Sequence, residues 1–531
     1  RDIGLHNLNV TAVGEIKVND DTWSYINNSN FAMQETGIYD LNAAQIQKTS
    51  SGQGHRKILS GVGRINYGYD NKYLLSMSVR ADGSSVFGEN NKWGYFPAAS
   101  IGWRLSRENF MKDFTWIDDL MIRASWGNTG NQAISNFQTI SQIGSSGKYP
   151  WYGGDASNLG YAVISASNPN LKWESTRQYN LGLNVSLWNS MLQFTGEYYD
   201  KVTSNLLMMR ELPRSTGLNS IIDNVGKMGN KGWELSVNGN FNFGELEWSP
   251  GINTTFSKTK VLDLGDEEFI SYSAGGSGHG TNIPFMFLTK GQPFGQIMGF
   301  GYEGTWKSDE VNEAARYGQL PGDPKYTDVN NDGKIDYDND WKVIGNTLPK
   351  MIFGITNRFK YKNFDLTFLL QGTCGNDIFN VARIKRDAGV GYGTAKFDRW
   401  TPEHQNTDVP ALYAASYRET YRNNWDAAHP DNHFVSTITF PTSGDNINER
   451  WIENGSYIRL KNLTLGYTFD KISVFEHIRV YLTATNLFTI TKYKGFDPEV
   501  SSFTGSDAQL GTDFNSYPSS RVISLGVNIN L

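Results

Sequence analysis

Residues 521–531, RVISLGVNINL, form the stretch that decides the fold class. Positions of one parity are all aliphatic and those of the other are small or polar: Ile523, Leu525, Val527, Ile529 and Leu531 against Ser524, Gly526, Asn528 and Asn530. Because successive side chains of a β-strand point to opposite faces, this strand has one apolar and one polar face. A strand of about ten residues with that pattern is typical of one that crosses a lipid bilayer.

The same alternation recurs along most of the chain. It is clearest at residues 178–187, 233–243 and 364–371. Further strands are predicted at residues 5–15, 61–69, 73–82, 95–105, 120–126, 192–199, 246–256, 351–361, 463–469 and 478–488. With residues 521–531 these make about 14 strands of roughly ten residues, long enough to span a bilayer when tilted.

The connections between these strands alternate in length. The short ones are residues 70–72, 188–190, 244–245, 362–363 and 470–477. The long ones are residues 16–60, 130–172, 201–231, 259–350, 373–455 and 489–520. This layout indicates a transmembrane antiparallel β-barrel with short periplasmic turns, long extracellular loops and a periplasmic C-terminus. A soluble β-sandwich also alternates, but its strands are shorter and its loops lack this regular change in length.

Composition excludes several other classes of protein. The 531 residues contain no run of about 18 apolar residues, so a helical membrane protein is excluded. The net charge of −6 offers no basic surface for nucleic acid. The single cysteine, Cys374, leaves no disulfide or cysteine metal cluster within the chain. No G-x-S-x-G, H-E-x-x-H or G-x-x-x-x-G-K-[ST] motif occurs, and we therefore expect no enzyme activity.

Several motifs carry a family resemblance. The most extended is RADGSSVFGENNKWGYFPAASIGWRL at residues 80–105. Others follow in order, among them LMIRASWGNTGNQ at 120–132, YTDVNNDGKIDYDNDWKVIGNTLPK at 326–350, NGSYIRLKNLTLGYTF at 454–469 and GFDPEV at 495–500. Together they resemble the C-terminal half of SusC/RagA-type TonB-dependent transporters of Bacteroidetes.

The resemblance implies a barrel of 22 strands in the complete protein, with a plug domain and a TonB-interacting segment before it. We therefore expect residues 1–531 to be the C-terminal portion of that barrel, within the outer-membrane lipid. The implied function is import of oligosaccharides or oligopeptides, captured together with a SusD-like surface lipoprotein and driven by TonB. A passive porin-like or structural outer-membrane barrel is the alternative.

A calcium-binding loop is predicted within the long connection 259–350. Oxygen-bearing side chains stand at loop positions one, three, five and nine, with Gly333 at position six for the tight turn: Asp328, Asn330, Asp332 and Asp336. Lys334, at position seven, offers a backbone carbonyl. This is the spacing by which an EF-hand-like loop surrounds Ca²⁺ with oxygens. Position twelve is Asn339, so either Asp338 or Asp340 would close the loop, and Asp340 is our candidate.

Two further sets of residues are candidates for function. Among the aromatic residues of the long connections, we expect Trp151, Tyr152 and Trp425 to bind substrate, because aromatic rings stack on sugar rings or peptide side chains. The alternative is that such residues pack within the loops or against a partner protein. By alternation, Arg80, Asp82 and Arg104 face the interior of the barrel. We expect them to brace a plug or the wall by ion pairing, since a charge there needs a partner or water.

Overall fold

The computed structural model describes residues 2–31, 33, 39–149, 158–273, 284–387, 398–430, 447–472, 474–499, 501–502 and 510–530. Within these residues 14 strands are 9 to 26 residues long, and all belong to one sheet. They are β1 (His6–Phe31), β2 (Ala44–Tyr69), β3 (Tyr73–Ser84), β4 (Trp93–Arg104), β5 (Ile117–Asn131), β6 (Glu174–Leu187), β7 (Leu192–Ser204), β8 (Lys227–Gly239), β9 (Leu246–Asp263), β10 (Met351–Tyr361), β11 (Phe364–Cys374), β12 (Tyr457–Ile472), β13 (Phe475–Thr485) and β14 (Val522–Asn530). The predicted all-β class and the number of strands are confirmed.

One compact unit comprises Arg1–Asp113, Met121–Gly182 and Tyr199–Met228. In it, antiparallel ladders join β1 to β2, β2 to β3, β3 to β4 and β4 to β5. Its other strands and its 3₁₀ turns are short: strands Asp2–Ile3, Gln142–Tyr149, Asn158–Ser165, Leu207–Glu211 and Ser220–Asn224, and turns Leu41–Ala43, Glu89–Asn91, Leu105–Arg107, Asn109–Met111 and Arg214–Thr216. Phe87, Phe96 and Trp173 form the centre of a buried aromatic cluster.

The second unit comprises Phe114–Leu120, Leu183–Tyr198 and Gly229–Leu531. Antiparallel ladders join β9 to β10 and then each strand to the next as far as β14. The connections carry short strands: Phe241–Phe243, Phe269–Ser273, Pro284–Thr289, Gln296–Phe300, Tyr302–Thr305, Pro324–Tyr326, Trp341–Asn346, Asp377–Asn380, Ile452–Asn454, Thr489–Thr491 and Thr512–Asp513. The helices of this unit within the described residues are Val311–Arg316, Val381–Asp387 and Ala415–Ala428, with 3₁₀ turns Ser308–Glu310 and Glu449–Trp451.

The prediction of a loop at residues 16–60 is wrong. β1 and β2 continue through it as a paired ribbon, in register from His6↔Tyr69 to Ser29↔Ile46. Alternating hydrophobicity fades after Val18 because both faces of a strand meet water once it leaves the lipid, although the strand itself continues. Asp20 and His55, a hydrogen-bonded pair directly opposite each other, mark where the apolar face ends.

Other strand ends differ from prediction in the same direction. β9 runs to Asp263 instead of ending at Phe256, and β12 begins at Tyr457 instead of Leu463. At the short turns the predicted ends are closer, but the turn predicted at residues 470–477 is too long. There β12 and β13 continue until Ile472 pairs with Phe475. Charged residues near the end of both strands interrupt the alternation, so the sequence did not predict that the strands continue to the end of the hairpin.

One face of the long strands is apolar and yet exposed. On β14, Leu525 is 74% exposed, and its neighbour Leu482 on β13 is 46% exposed. The opposite face of the same pair of strands carries Ser524 beside Thr483. A continuous exposed apolar face on neighbouring strands is the surface that a bilayer covers.

Aromatic rings gather at the short turns of the second unit. Trp248, which follows the turn 244–245, stacks on Phe359 of β10 with 6.0 Å between ring centroids. Phe364, which follows the turn 362–363, meets Tyr467 of β12 edge to face at 4.6 Å. Such rows of aromatic side chains are typical of the girdle at a membrane–water interface. No helix in the described part of the chain is both long and apolar enough to cross a membrane.

The assignment of lipid and polar faces predicts opposite outcomes for two arginine substitutions on β14. Leu525→Arg places a charge on the lipid face and should lower the free energy of unfolding of the full-length protein in bilayers by about 2–4 kcal/mol. Ser524→Arg, the control, projects from the other face and should change it little. Equal effects of the two substitutions, measured by denaturant titration in vesicles, would contradict the assignment.

Candidate transport site

A charged cluster lies on the polar face of the first unit and joins three strands. The Arg80 guanidinium donates from Nε to both carboxylate oxygens of Asp82, at 2.9 and 2.7 Å. Its Nη2 donates to Ser60 Oγ on β2 at 3.0 Å and lies 3.5 Å from the Glu15 carboxylate on β1. Two carboxylates and one guanidinium therefore meet on this face, and Asp82 is buried among them.

Arg104 does not belong to this cluster. It ends β4 beside the short turn, where its Nη1 lies 3.5 Å from the backbone oxygen of Asn71. Arg104 lies eight positions along β4 from Phe96, the residue that pairs with Arg80. Eight positions of a strand correspond to about 27 Å. The structure thus brings together Arg80 and Asp82 of the three predicted interior residues and leaves Arg104 at the other end of the hairpin.

A cavity of about 560 Å³ opens on the same face, near the short turn of residues 70–72. Among the residues that line it are Asn7, Asn66, Ser76, Ser100, Arg123 and Asn180. The guanidinium of Arg123 lies flat against the backbone at Gly182, where a Cβ atom would come within 2.7 Å of Nε. Amides and hydroxyls share this lining with Leu74, Ile101 and Met121, so it suits an occupant that has both polar and apolar groups.

In the second unit, a buried ion pair ties the last long connection to β12. The guanidinium of Arg459 is 3% exposed and donates to Asp497 and, at 2.5 Å, to Glu499. Burial alone would raise the pKa of Asp497. Hydrogen bonds from Arg459 and from the amides of Glu499 and Ser519 outweigh burial and lower that pKa. Asp497 is therefore an anion held by one guanidinium and two amides.

The predicted calcium loop has the turn that its spacing requires. Asp328 accepts hydrogen bonds from the amides of Asp332 and Gly333, at 3.2 and 2.8 Å, and Gly333 has a φ of +80°. Asp340 is fully buried and accepts from the amides of Val329 and Asp336, both at 2.8 Å. The buried carboxylate thus closes the loop through backbone amides.

The loop's carboxylates do not converge on one point. Over the described residues, no group of three or more His, Cys, Asp or Glu side chains is placed to hold a metal ion. Asn330 and Asp332 bond each other at 2.9 Å, and hydrogen bonds from Asn339 lower the pKa of Asp336. The side-chain oxygens of the predicted ligands are of the type that Ca²⁺ prefers, but here they accept hydrogen bonds from groups of the loop itself.

Of the three aromatic residues predicted to bind substrate, the structure describes Trp425. Trp151 and Tyr152 lie outside the described residues. Trp425 lies on the helix Ala415–Ala428 and packs against the buried Ala315 and Leu320. His429 stacks on its ring at 3.8 Å between centroids. One face of the indole is thus already covered, which leaves at most the other face for a ligand.

Sequence reasoning missed two members of the charged cluster, Glu15 and Ser60. Glu15 ends the predicted strand 5–15 and Ser60 ends the wrongly predicted loop 16–60, so the sequence did not show that they pair across β1 and β2. The sequence did indicate the face on which Glu15 lies, because its position is odd like those of Asn7 and Asn9 on the polar face of β1. Asp497 and Glu499 belong to the recognised motif GFDPEV, but the sequence does not show that their partner is Arg459, which lies 38 and 40 residues away from them.

Comparison with known proteins agrees with this geometry. The family model described as TonB dependent receptor-like, beta-barrel matches residues 3–346. TonB-dependent receptor P26 of Formosa agariphila is 35% identical over 491 residues, which cover 89% of this chain and 46% of that protein. TonB-dependent receptor SusC of Bacteroides thetaiotaomicron is 28% identical over 497 residues, covering 92% and 45%. A solved structure of the RagAB peptide transporter superposes with a TM-score of 0.77 at 22% identity, covering 99% and 53%.

The chain belongs to the family of TonB-dependent receptor-like β-barrels. The resemblance to SusC and RagA is confirmed, and so is the non-enzymatic class, because the family consists of transporters. The chain spans about half the length of the curated relatives that it matches.

The Arg459–Asp497 pair predicts a large loss of stability on Asp497→Asn. We expect a loss of about 3 kcal/mol, the low end for a broken buried pair, because Glu499 still contacts Arg459. The pKa of Asp497 is lowered in the folded protein, so its contribution is full above pH of about 4 and is lost as the pH falls through the lowered pKa. The difference between variant and wild type should therefore be full at pH 7 and shrink in acid.

Asp470→Asn is the matched control, since its carboxylate bonds His477 at an exposed site and should contribute less than about 1 kcal/mol. Denaturant titration of the full-length protein gives the size of each effect. Hydrogen exchange of the amides of residues 489–499 locates it. Similar losses for both variants, or a loss for Asp497→Asn that persists unchanged in acid, would contradict the assignment.

Proposed function

We propose that this chain is the barrel portion of an outer-membrane importer that is energised by TonB. The observation that carries the proposal is the polar strand face with its Arg80 cluster, opposite a face built for lipid, in a chain of the TonB-dependent receptor family. A wall with water-compatible groups inside and hydrocarbon outside encloses a path for polar solutes.

The proposed cargo is an oligosaccharide or oligopeptide, captured together with a SusD-like surface lipoprotein. Similarity to SusC of Bacteroides thetaiotaomicron and a fold shared with the RagAB peptide transporter support this proposal. Both cargo classes are polar and too large for simple diffusion through a narrow channel. Active import would therefore require that the interior be closed at rest and opened on demand.

We also propose that the interior residues serve a plug domain. Arg80 and Asp82 would brace it near the long connections, and the cavity lined by Asn7 and Arg123 would receive it near the short turn 70–72. The N-terminal segment that precedes such a plug would bind TonB in the periplasm. Pairing of Arg80 with Asp82 and Glu15 supports this role, because the guanidinium offsets one of the two carboxylate charges and so lowers the desolvation cost when the cluster meets a polar surface.

Uptake measurements test the proposal. Deletion of the gene should abolish growth on one oligosaccharide or oligopeptide mixture and leave growth on the monomers unchanged. Loss of TonB, or collapse of the proton-motive force, should have the same effect. Uptake that depends on the gene but continues without TonB would instead favour the passive porin-like or structural barrel.

We propose in addition that the loop 328–340 binds Ca²⁺ and stiffens an extracellular connection. Its residues fit such an ion in chemistry, because every side-chain ligand candidate is an oxygen: Asp328, Asn330, Asp332, Asp336 and Asp340, with the backbone carbonyl of Lys334. The preformed turn at Gly333 supports the proposal. The ion would supply structural rigidity and no chemistry.

Chelation tests the calcium proposal. For a dissociation constant of about 10⁻⁴ to 10⁻³ M, 2 mM Ca²⁺ should stabilise the wild-type protein by about 0.6–1.8 kcal/mol over a chelated sample. Asp328→Ala combined with Asp332→Ala should remove that difference. Asp266→Ala, an exposed aspartate outside the loop, should retain it. The same melting temperature for the wild type with and without Ca²⁺ would refute the proposal.

A further inference from the structure

The ribbon that β1 and β2 form beyond the lipid face carries two aromatic side chains on one side. Trp23 and Tyr25 are 55% and 53% exposed and stand two residues apart, so their Cα atoms are about 7 Å from each other along the strand. The register from His6 to Ser29 is unbroken. Trp23 and Tyr25 therefore share the strand face of Glu15, which contacts Arg80, and of Asn7, which lines the cavity near the turn 70–72.

The indole of Trp23 lies flat on the ribbon because the residue opposite it is a glycine. Trp23 pairs with Gly52, and a Cβ atom at Gly52 would be 2.7 Å from three atoms of the indole. No side chain other than hydrogen leaves room for the ring in this position. A ring that lies against the backbone presents its outer face to solvent, and this is the geometry needed for stacking.

The groups around the two rings are mostly neutral hydrogen-bonding groups. Beyond Tyr25 the face continues with Asn27 and Ser29 on β1 and with Ser50, Lys48 and Ile46 on β2, and before Trp23 it carries Asp21. Asn27 Nδ2 donates to the Tyr25 hydroxyl at 2.9 Å, which orients that phenol. The two charges within two positions of the rings, Asp21 and Lys48, are of opposite sign, so aromatic faces flanked by amides and hydroxyls with no net charge match a neutral sugar chain better than a charged peptide.

The size of the patch also favours a small ligand over a protein partner. A buried Trp or Tyr covers about 150–250 Å², so the exposed halves of the two side chains together offer about 150–250 Å². A stable protein interface covers about 800 Å² on each partner. The opposite face of the ribbon is largely polar, with Thr22 and Ser24, so the aromatic pair is not part of the lipid-facing surface.

We propose that Trp23 and Tyr25 form a stacking platform for neutral oligosaccharides, with Gly52 as its positioning residue. This inference rests on the proposed import function and assigns its cargo to the carbohydrate class. The apolar faces of successive sugar rings would lie on the indole and the phenol, while Asn27 and Ser50 are within the same face to bond hydroxyls. The platform would capture cargo above the wall.

Binding of four neutral hexasaccharides tests the platform: maltohexaose, cellohexaose, xylohexaose and mannohexaose. Calorimetry on the detergent-purified full-length protein should find at least one that binds. Trp23→Ala and Tyr25→Ala should each weaken that binding about tenfold or more, the usual size of loss when an aromatic anchor is removed. Gly52→Ala should weaken it similarly, because its methyl group displaces the indole.

Ile26→Ala is the matched control: it removes a comparably exposed apolar side chain from the same strand, but from the opposite face. It should leave binding unchanged. The proposal is overturned if none of the four saccharides binds the wild type, or if Trp23→Ala binds as the wild type does. It is also overturned if Trp23→Ala only lowers the melting temperature, because another part of the protein then covers the face.

A mixed oligopeptide library serves as the competing probe, and Trp23-dependent binding of peptides without any saccharide binding would overturn the carbohydrate assignment. Uptake separates this inference from the import proposal. Gene-dependent, TonB-dependent uptake that is unaffected by Trp23→Ala at low substrate concentration would refute the platform alone. Platform binding in a protein whose deletion leaves all uptake unchanged would refute the import function alone.

Discussion

Lipid contacts one face of each long strand, and the remaining features of the structure depend on this constraint. A bilayer offers no hydrogen bonds, so every backbone amide and carbonyl within it must pair with a neighbouring strand. The ladders from β9 to β14 meet that requirement, with one register shift between β11 and β12 at Leu369 and Leu370. The side chains are then divided between hydrocarbon and a polar interior, residue by residue. Leu525 beside Leu482, with Ser524 beside Thr483 on the reverse, shows the division at one pair of strands.

The same constraint explains why the fold class could be predicted from sequence and why the strand ends could not. Alternation of hydrophobicity reports where a strand lies in lipid, and it ends where the lipid ends. β1, β2, β9 and β12 continue past that point on hydrogen bonds alone, and nothing in their composition shows it. At the short turns the chain reverses close to the lipid boundary. Predicted and observed ends are therefore closer there.

The polar contacts that shape the connections were not predictable for a different reason. Arg418 donates two hydrogen bonds to the buried Asp323 across 95 positions of sequence, and Arg459 holds Asp497 across 38. Each pairing becomes visible only when the backbone is in place. The motif at residues 328–340 is the opposite case: its turn follows from local spacing and Gly333, and that part of it could be anticipated.

Beyond the lipid, the ribbon of β1 and β2 is free of the constraint that governs the rest of each strand. Its two faces both meet water, so neither is required to be apolar. Polar side chains on the outer face, such as Thr22 and Ser24, agree with this expectation, whereas Trp23 and Tyr25 on the inner face do not. Exposing aromatic rings to water has an unfavourable free energy, and no lipid covers the rings in this part of the ribbon because it lies beyond the bilayer. Gly52, which leaves room for the indole, shows that the backbone of β2 accommodates the ring, and the inner face is therefore a surface for contact with another molecule.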